Sequence, residues 1–150
     1  MDPTYVYEII DWHSKLGYLS LVAQLMNERT PLSFDPSQLY KKISQRYSAK
    51  LDQWVDEAKQ RSASYTPKMT DKNKHQMIPR LAEYMHILHL VKPLEFSYMR
   101  LTDEGKVLKS LVNSKTSNML ILTPQEQLFF IYMLLKHDFL ALLIILDLFS

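Results

Sequence analysis

Apolar side chains recur at three- and four-residue steps over residues 4–28, where Val6, Ile9, Ile10, Leu16, Leu19, Val22, Leu25 and Met26 predict two helical stretches hinged near Gly17. Asp35-Pro36 follows as an N-cap residue with proline at the first helical position, and Gln38 stands at the capping-box site. From there Leu39, Ile43, Tyr47, Leu51, Trp54, Val55 and Ala58 share one face to about residue 60, while Lys41, Lys42, Arg46, Lys50, Asp52, Asp56 and Lys59 take the others. That pattern predicts a long amphipathic helix.

Residues 61–76 are polar, basic and unperiodic, which predicts a loop or a frayed helix entry. Proline is costly inside a helix and pushes the residue before it toward extended conformations, so Pro79 predicts that the next helix kinks or begins there. Leu81, Tyr84, Met85 and Leu88 carry its apolar stripe. Two short β-like runs, 88–92 and 96–101, flank Pro93-Leu94-Glu95 and predict a small hairpin. Thr102-Asp103-Glu104 opens a helix to about residue 113, with acids in its first turn and Lys106 and Lys109 further on, as the helix dipole favours. Thr123-Pro124-Gln125-Glu126 is a fuller start signal, combining a threonine cap, proline and a glutamate that reaches back. The expected fold class is mainly α, with one hairpin and two C-terminal apolar helices.

The apolar stretch Gln127–Phe149 is nearly long enough to span a bilayer, but Lys136, His137 and Asp138 sit at its midpoint. A charge at that depth costs at least about 2.5–3.5 kcal/mol, so two short helices breaking near His137-Asp138 are expected in place of a membrane span. Residues 139–149 are apolar almost all round, and a helix of that kind must be buried on several sides. It closes the domain's own core, pairs with a second copy, or meets the remainder of a longer chain or partner subunit through residues 127–149.

Composition narrows the class. Of the 150 residues 47% are hydrophobic and 23% charged, as in ordinary folded proteins. Two glycines, Gly17 and Gly105, leave few positions for tight hairpins or phosphate-cradling loops. No cysteine is present, which excludes disulfides, thiolate metal sites and a cysteine nucleophile. Met1-Asp2-Pro3-Thr4 has no basic segment leading into an apolar run, so a protein that is not secreted, and is cytoplasmic (nucleoid-associated) or nuclear, is expected.

The formal net charge of +2 conceals a partition: residues 1–40 carry −3, residues 41–115 carry +7 and residues 116–150 carry −2. A basic middle of this kind gains affinity for a polyanion by releasing condensed counterions, and it is equally the solvated face of a lysine-rich protein.

Catalytic patterns are sparse. Glu57-Ala58-Lys59, with Asp35 upstream, and Glu104-Gly105-Lys106 have the acid-x-lysine spacing of metal-dependent nucleases, but both fall in predicted helices, not on the adjacent strand positions that such chemistry uses. His86 and His89, with His137-Asp138, could share a metal, though no glutamate-flanked zinc motif accompanies them. No phosphate loop, dinucleotide fingerprint or nucleophile elbow occurs. A non-enzymatic protein without cofactor or metal is expected.

Residues 80–111 run Arg-Leu-Ala-Glu-Tyr-Met-His-Ile-Leu-His-Leu-Val, Lys-Pro-Leu-Glu, then Phe-Ser-Tyr-Met-Arg-Leu-Thr-Asp-Glu-Gly-Lys-Val-Leu-Lys-Ser-Leu. This order resembles the second half of a winged-helix (winged helix-turn-helix) DNA-binding domain, in which a helix ends in a leucine-valine strand, a short wing turns, and a second strand enters Arg-Leu-Thr-x-x-Gly-Lys, here Arg100–Lys106. His89 stands where the family often has glycine, so the turn from helix to strand is expected to be made differently. The resemblance implies a winged-helix-like domain over residues 1–113 and a C-terminal apolar arm over 114–150.

It also implies a double-stranded DNA partner. The helix before the hairpin would be the recognition helix in the major groove, presenting Gln76, Arg80 and Glu83, with Lys72, Lys74 and His75 arriving just before it. Arg80 is the candidate for base contact, since arginine pairs with guanine through two hydrogen bonds, while the lysines meet phosphate. Arg80 is equally placed to pair with Glu83. On the hairpin Phe96, Tyr98 and Arg100 alternate outward, and Lys41, Lys42 and Arg46 form a second basic cluster near a helix N-terminus. The expected role is DNA recognition in a regulator or a larger DNA-processing assembly, as a homodimer through the C-terminal helices; the alternative is a protein-binding adaptor or scaffold that docks through those helices.

Overall fold

In the computed structural model of the chain, residues 15–61, 68–113, 115, 117–139, 143, 146 and 147 are described. Helix α1 covers residues 15–25, and every residue from Lys15 to Ala23 is buried. The near-continuous apolar run Leu16–Met26 explains this, because a helix without a polar face is stable only when other elements surround it. The first of the two helical stretches expected over residues 4–28 lies largely outside the described residues. Gly17 is helical, and a Cβ there would collide with the Leu120 carbonyl, so this glycine lets the 117–122 loop lie against α1.

Strand β1 is Leu32–Ser33, and α2 spans Pro36–Arg61. Asp35 caps α2 as its sequence predicts: its side chain accepts from the Gln38 amide at 3.2 Å. Leu39, Ile43, Tyr47, Leu51, Val55 and Ala58 are all buried along one face. Tyr47 donates to Gln24 of α1 at 2.7 Å, and Asn118 bridges the Trp54 carbonyl and Glu57 from the opposite loop.

Helix α3 is Lys74–Ile87, so it begins five residues before Pro79 and carries that proline inside. Of the kink or start expected at Pro79, the start is thus corrected to Lys74. Asn73 and Thr70 exchange hydrogen bonds ahead of the helix, and Met77, Ile78 and Leu81 bury their side chains. Packing of these residues offsets the roughly 3 kcal/mol that an interior proline costs. The His75 carbonyl, which loses its partner to Pro79, belongs to an exposed turn within reach of water.

At the C-terminus of α3, Leu90 donates to the Met85 carbonyl at 2.9 Å and His89 to the His86 carbonyl at 3.0 Å. This is the Schellman pattern, and it needs a left-handed residue between helix and strand. His89 supplies it with φ 57°. A histidine thus occupies a left-handed position that glycine would take without penalty, at a strain of roughly 1–2 kcal/mol for a residue with a Cβ.

Strand β2 is Val91–Pro93 and β3 is Tyr98–Leu101, shorter than the expected runs because residues 88–90 complete the helix cap and residues 95–97 form the turn into β3. Both pairings are antiparallel in the order β1-β3-β2, with Val91 opposite Leu101, Lys92 opposite Arg100 and Leu32 opposite Met99. Thr102 joins flap to helix: it donates to the His89 carbonyl, accepts from the Gly105 amide at 3.0 Å and so caps α4, Asp103–Asn113. A Cβ on Gly105 would strike the Leu90 carbonyl, which explains the glycine.

Helix α5, Pro124–His137, starts on the predicted capping box between Thr123 and Glu126 and stops at Asp138. Phe130, Met133 and Leu134 enter the same core as α1–α4. Beneath them Glu126, fully buried, accepts from Lys115 at 2.6 Å and from Ser20 at 2.6 Å. The second apolar helix expected over 139–149 falls largely outside the described residues; Phe139, Leu143, Leu146 and Asp147 are helical and exposed. No helix among the described residues is long and apolar enough to cross a membrane. The described residues are mainly helical, with one small three-stranded antiparallel sheet among them.

Candidate nucleic-acid interface

The α3 face presented to solvent follows from its period. Met77, Ile78, Leu81, Tyr84 and Met85 point inward, which leaves His75, Gln76 and Glu83 exposed and Arg80 half-buried between them. Lys72 is exposed in the turn that precedes the helix. Lys74 is differently employed. Its ammonium group lies 2.6 Å from Asp71 and 5.6 Å from the centre of the Tyr40 ring, so much of its charge is met within the protein. The same ion pair, a hydrogen bond first and Coulomb attraction second, holds the Asp71 carboxyl below its ordinary value.

Lys74 and Tyr40 bring the start of α3 against the first turns of α2. Between them lies an open cleft of about 530 Å³ lined by Ser37, Tyr40, Lys41, Ser44, Gln45, Asp71 and Lys74. Lys41 and Lys74 therefore line one cleft, although 33 positions separate them. Arg46 is not in that group. It lies over the Tyr47 ring at 5.7 Å, and its charge, after burial, helps to depress the ordinary value of Lys109, which donates to the Gln24 carbonyl at 2.9 Å. Lys42, one helical turn before Arg46, is exposed on that second side of α2.

The flap shows a clear inside and outside. Leu101 is buried and Met99 half-buried, while Tyr98 and Arg100 are exposed on β3 and Lys92 is exposed on β2. Register places Lys92 directly opposite Arg100. Residues facing each other across an antiparallel pair share one side of the sheet, so two cations sit side by side, an arrangement worth roughly 0.2–1 kcal/mol of repulsion. Lys92 is not among the residues that the resemblance singles out. Its signal was the strand alternation, which marks Lys92 as outward once the hairpin is centred on 94–97. Among the described residues, no acid is paired with either cation by an ion pair.

The acid-x-lysine patterns have other partners here. Glu57 receives hydrogen bonds from Gln53 and Asn118, and Glu104 pairs with Lys136 of α5 at 3.3 Å. His89 and His137 do come together, with rings stacked at 4.3 Å and 8° apart, but no cluster of three metal-ligating groups occurs among the described residues. His137 is held below its ordinary value chiefly by burial, then by His89 and Lys136.

Comparison with protein-family models, curated proteins and solved structures finds no match to this chain.

Proposed function

We propose that this chain is a non-catalytic, winged-helix-like module that binds double-stranded DNA, within a regulator or a larger DNA-processing assembly. The observation that carries the reading is the sequence of elements from α3 through β2, the 94–97 turn and β3 into the Thr102-capped helix, with cations on the outer face of the flap. α2 and α3 serve as the helix pair, α3 presenting Gln76, Arg80 and Glu83 to the major groove. Lys72, Lys92, Arg100 and Lys41 meet phosphate, and Tyr98 touches the backbone. Lys74 helps to shape the α2–α3 cleft more than it neutralises phosphate, since Asp71 holds it.

A dimer through residues 127–149 accompanies this reading. Leu128, 68% exposed, with Tyr132 and Leu135 on α5 and Phe139, Leu143 and Leu146 beyond it, makes a series of exposed apolar side chains. The same series favours the second reading, an adaptor that binds protein through this surface without touching DNA. Fluorescence anisotropy with a labelled duplex separates them. DNA binding predicts saturable affinity at low salt that Arg100→Glu and Lys72→Glu each weaken, whereas no binding at low salt with concentration-dependent self-association supports the adaptor. Arg80→Glu tests base reading: a loss of about 1–3 kcal/mol at preferred sites is expected, and an unchanged site preference rejects that role.

A further inference from the structure

The tip of the flap is built unlike any other turn described in the molecule. Phe96 and Ser97 adopt φ of 57° and 65°, two successive left-handed residues, neither of them glycine. A bulky residue in that region is strained, and strain persists only where the surroundings enforce it. They do so here from both sides: Leu94 donates to the Tyr98 carbonyl at 2.7 Å, Tyr98 donates back to the Glu95 carbonyl, and the Phe34 amide reaches across to the Ser97 carbonyl at 2.8 Å. The turn is thus fastened to β1 as well as to its own hairpin. What this scaffold holds out is an aromatic ring, 86% exposed, the most solvent-exposed of the large apolar side chains described. Packing within the fold does not account for a Phe there, and an asparagine or glycine would make the turn with less strain.

The chemistry around the ring indicates an occupant. Lys92 and Arg100 stand side by side at the base of the flap, a repulsive pair that an anionic strand relieves. Glu95, exposed beside the ring, opposes close approach of phosphate to the tip itself. A polyanion gripped at the base and approached by an apolar ring at the tip is a nucleic acid met through its backbone first and its bases second. Apolar wedges that enter a base step from the minor groove unstack it and kink the duplex.

We infer that Phe96 is such a wedge: it inserts its ring into a base step of duplex DNA and bends the helix, while Lys92 and Arg100 hold the flanking phosphates. This rests on the duplex-binding reading above and assigns the flap a task within it. Easily unstacked pyrimidine–purine steps and mismatches are the preferred targets.

The test uses the full chain and a 20-base-pair duplex carrying donor and acceptor dyes at its ends and 2-aminopurine beside a central TA step. Wild-type protein is expected to raise energy transfer and 2-aminopurine emission together. Phe96→Ala abolishes both, retains salt-sensitive binding and weakens affinity about tenfold, whereas Phe96→Trp restores both signals. Phe96→Gly, which relieves the left-handed strain, raises Tm while losing the bend, a combination that a purely structural phenylalanine would not give. Bending and emission unchanged in Phe96→Ala overturn the wedge and leave duplex binding standing. Loss of self-association in Phe96→Ala with DNA bending unchanged overturns it in favour of a protein contact. Failure of the wild type to bind duplex at low salt overturns both the wedge and the reading beneath it.

Discussion

Lys92 and Arg100 face each other across the β2–β3 pair, two cations held in register on the exposed side of a three-stranded sheet. In the free protein this pairing opposes the flap's formation. Removing one charge should therefore help folding and harm binding: Arg100→Gln is expected to leave stability unchanged or raise it by up to about 1 kcal/mol, while duplex affinity falls. Thermal unfolding and anisotropy on the same variant check the two halves, and a variant that is both less stable and equally good at binding contradicts the assignment.

Lys115 and Glu126 form the opposite kind of pair, with side chains only 3% and 0% exposed. Breaking such a pair strands a charge in the core. Glu126→Ala, which also removes the α5 capping box and the Ser20 bond, is expected to cost about 3–5 kcal/mol, whereas replacing both Lys115 and Glu126 by apolar residues of similar volume costs much less. Urea unfolding of the single and double variants measures the difference.

Glycine at 105 is required by the Leu90 carbonyl that would meet any Cβ. Gly105→Ala should separate α4 from the flap and destabilise by about 1–3 kcal/mol despite alanine's better helix propensity. An increase in Tm would show that the helix–flap approach is looser than described.

His137 gives the fold a pH dependence whose sign is fixed by its environment. Burial, His89 and Lys136 all disfavour its cationic form, so the unfolded chain takes up this proton near the ordinary value of 6.5 while the folded chain does so lower. Its contribution is present above 6.5 and is lost as pH falls through the folded value. Between pH 7 and 5 the wild type should therefore lose more stability than His137→Gln, read as the difference in Tm between the two proteins. A smaller loss in the wild type would reverse the sign.

Local signals in the chain predicted what local physics determines. Asp35-Pro36 and Thr123-Pro124-Gln125-Glu126 are complete start signals, and both helices begin on them. The inward Leu101 and the Thr102 cap were likewise readable, because alternation and capping involve neighbours in sequence. Elements settled by distant partners were not. The three- and four-residue apolar steps of α1 do not reveal that it is buried on all sides, with Gln24 bonded to Tyr47 and the Val112 carbonyl, Ser20 to Glu126, and Gly17 against Leu120. Pro79 marks a kink or a start in the sequence, and buried residues around it carry the helix through. Strand β1 has only two residues and exists because β3 offers an edge. For the candidate interface, helical period located Gln76 and Glu83 on the solvent side. The pairing of Lys92 with Arg100 and the cleft shared by Lys41 and Lys74 needed the register and the fold, and so did the left-handed tip that carries Phe96.

Salt dependence of duplex binding tests the central claim most directly. If Lys41, Lys72, Lys92 and Arg100 each neutralise a phosphate, the slope of log Kobs against log salt concentration is expected to be about −3 to −4, and Arg100→Gln should make it shallower by about one unit. Affinity that does not change between 50 and 200 mM salt, roughly the range over which counterion release is steep, or no affinity at all at the lower concentration, would contradict it.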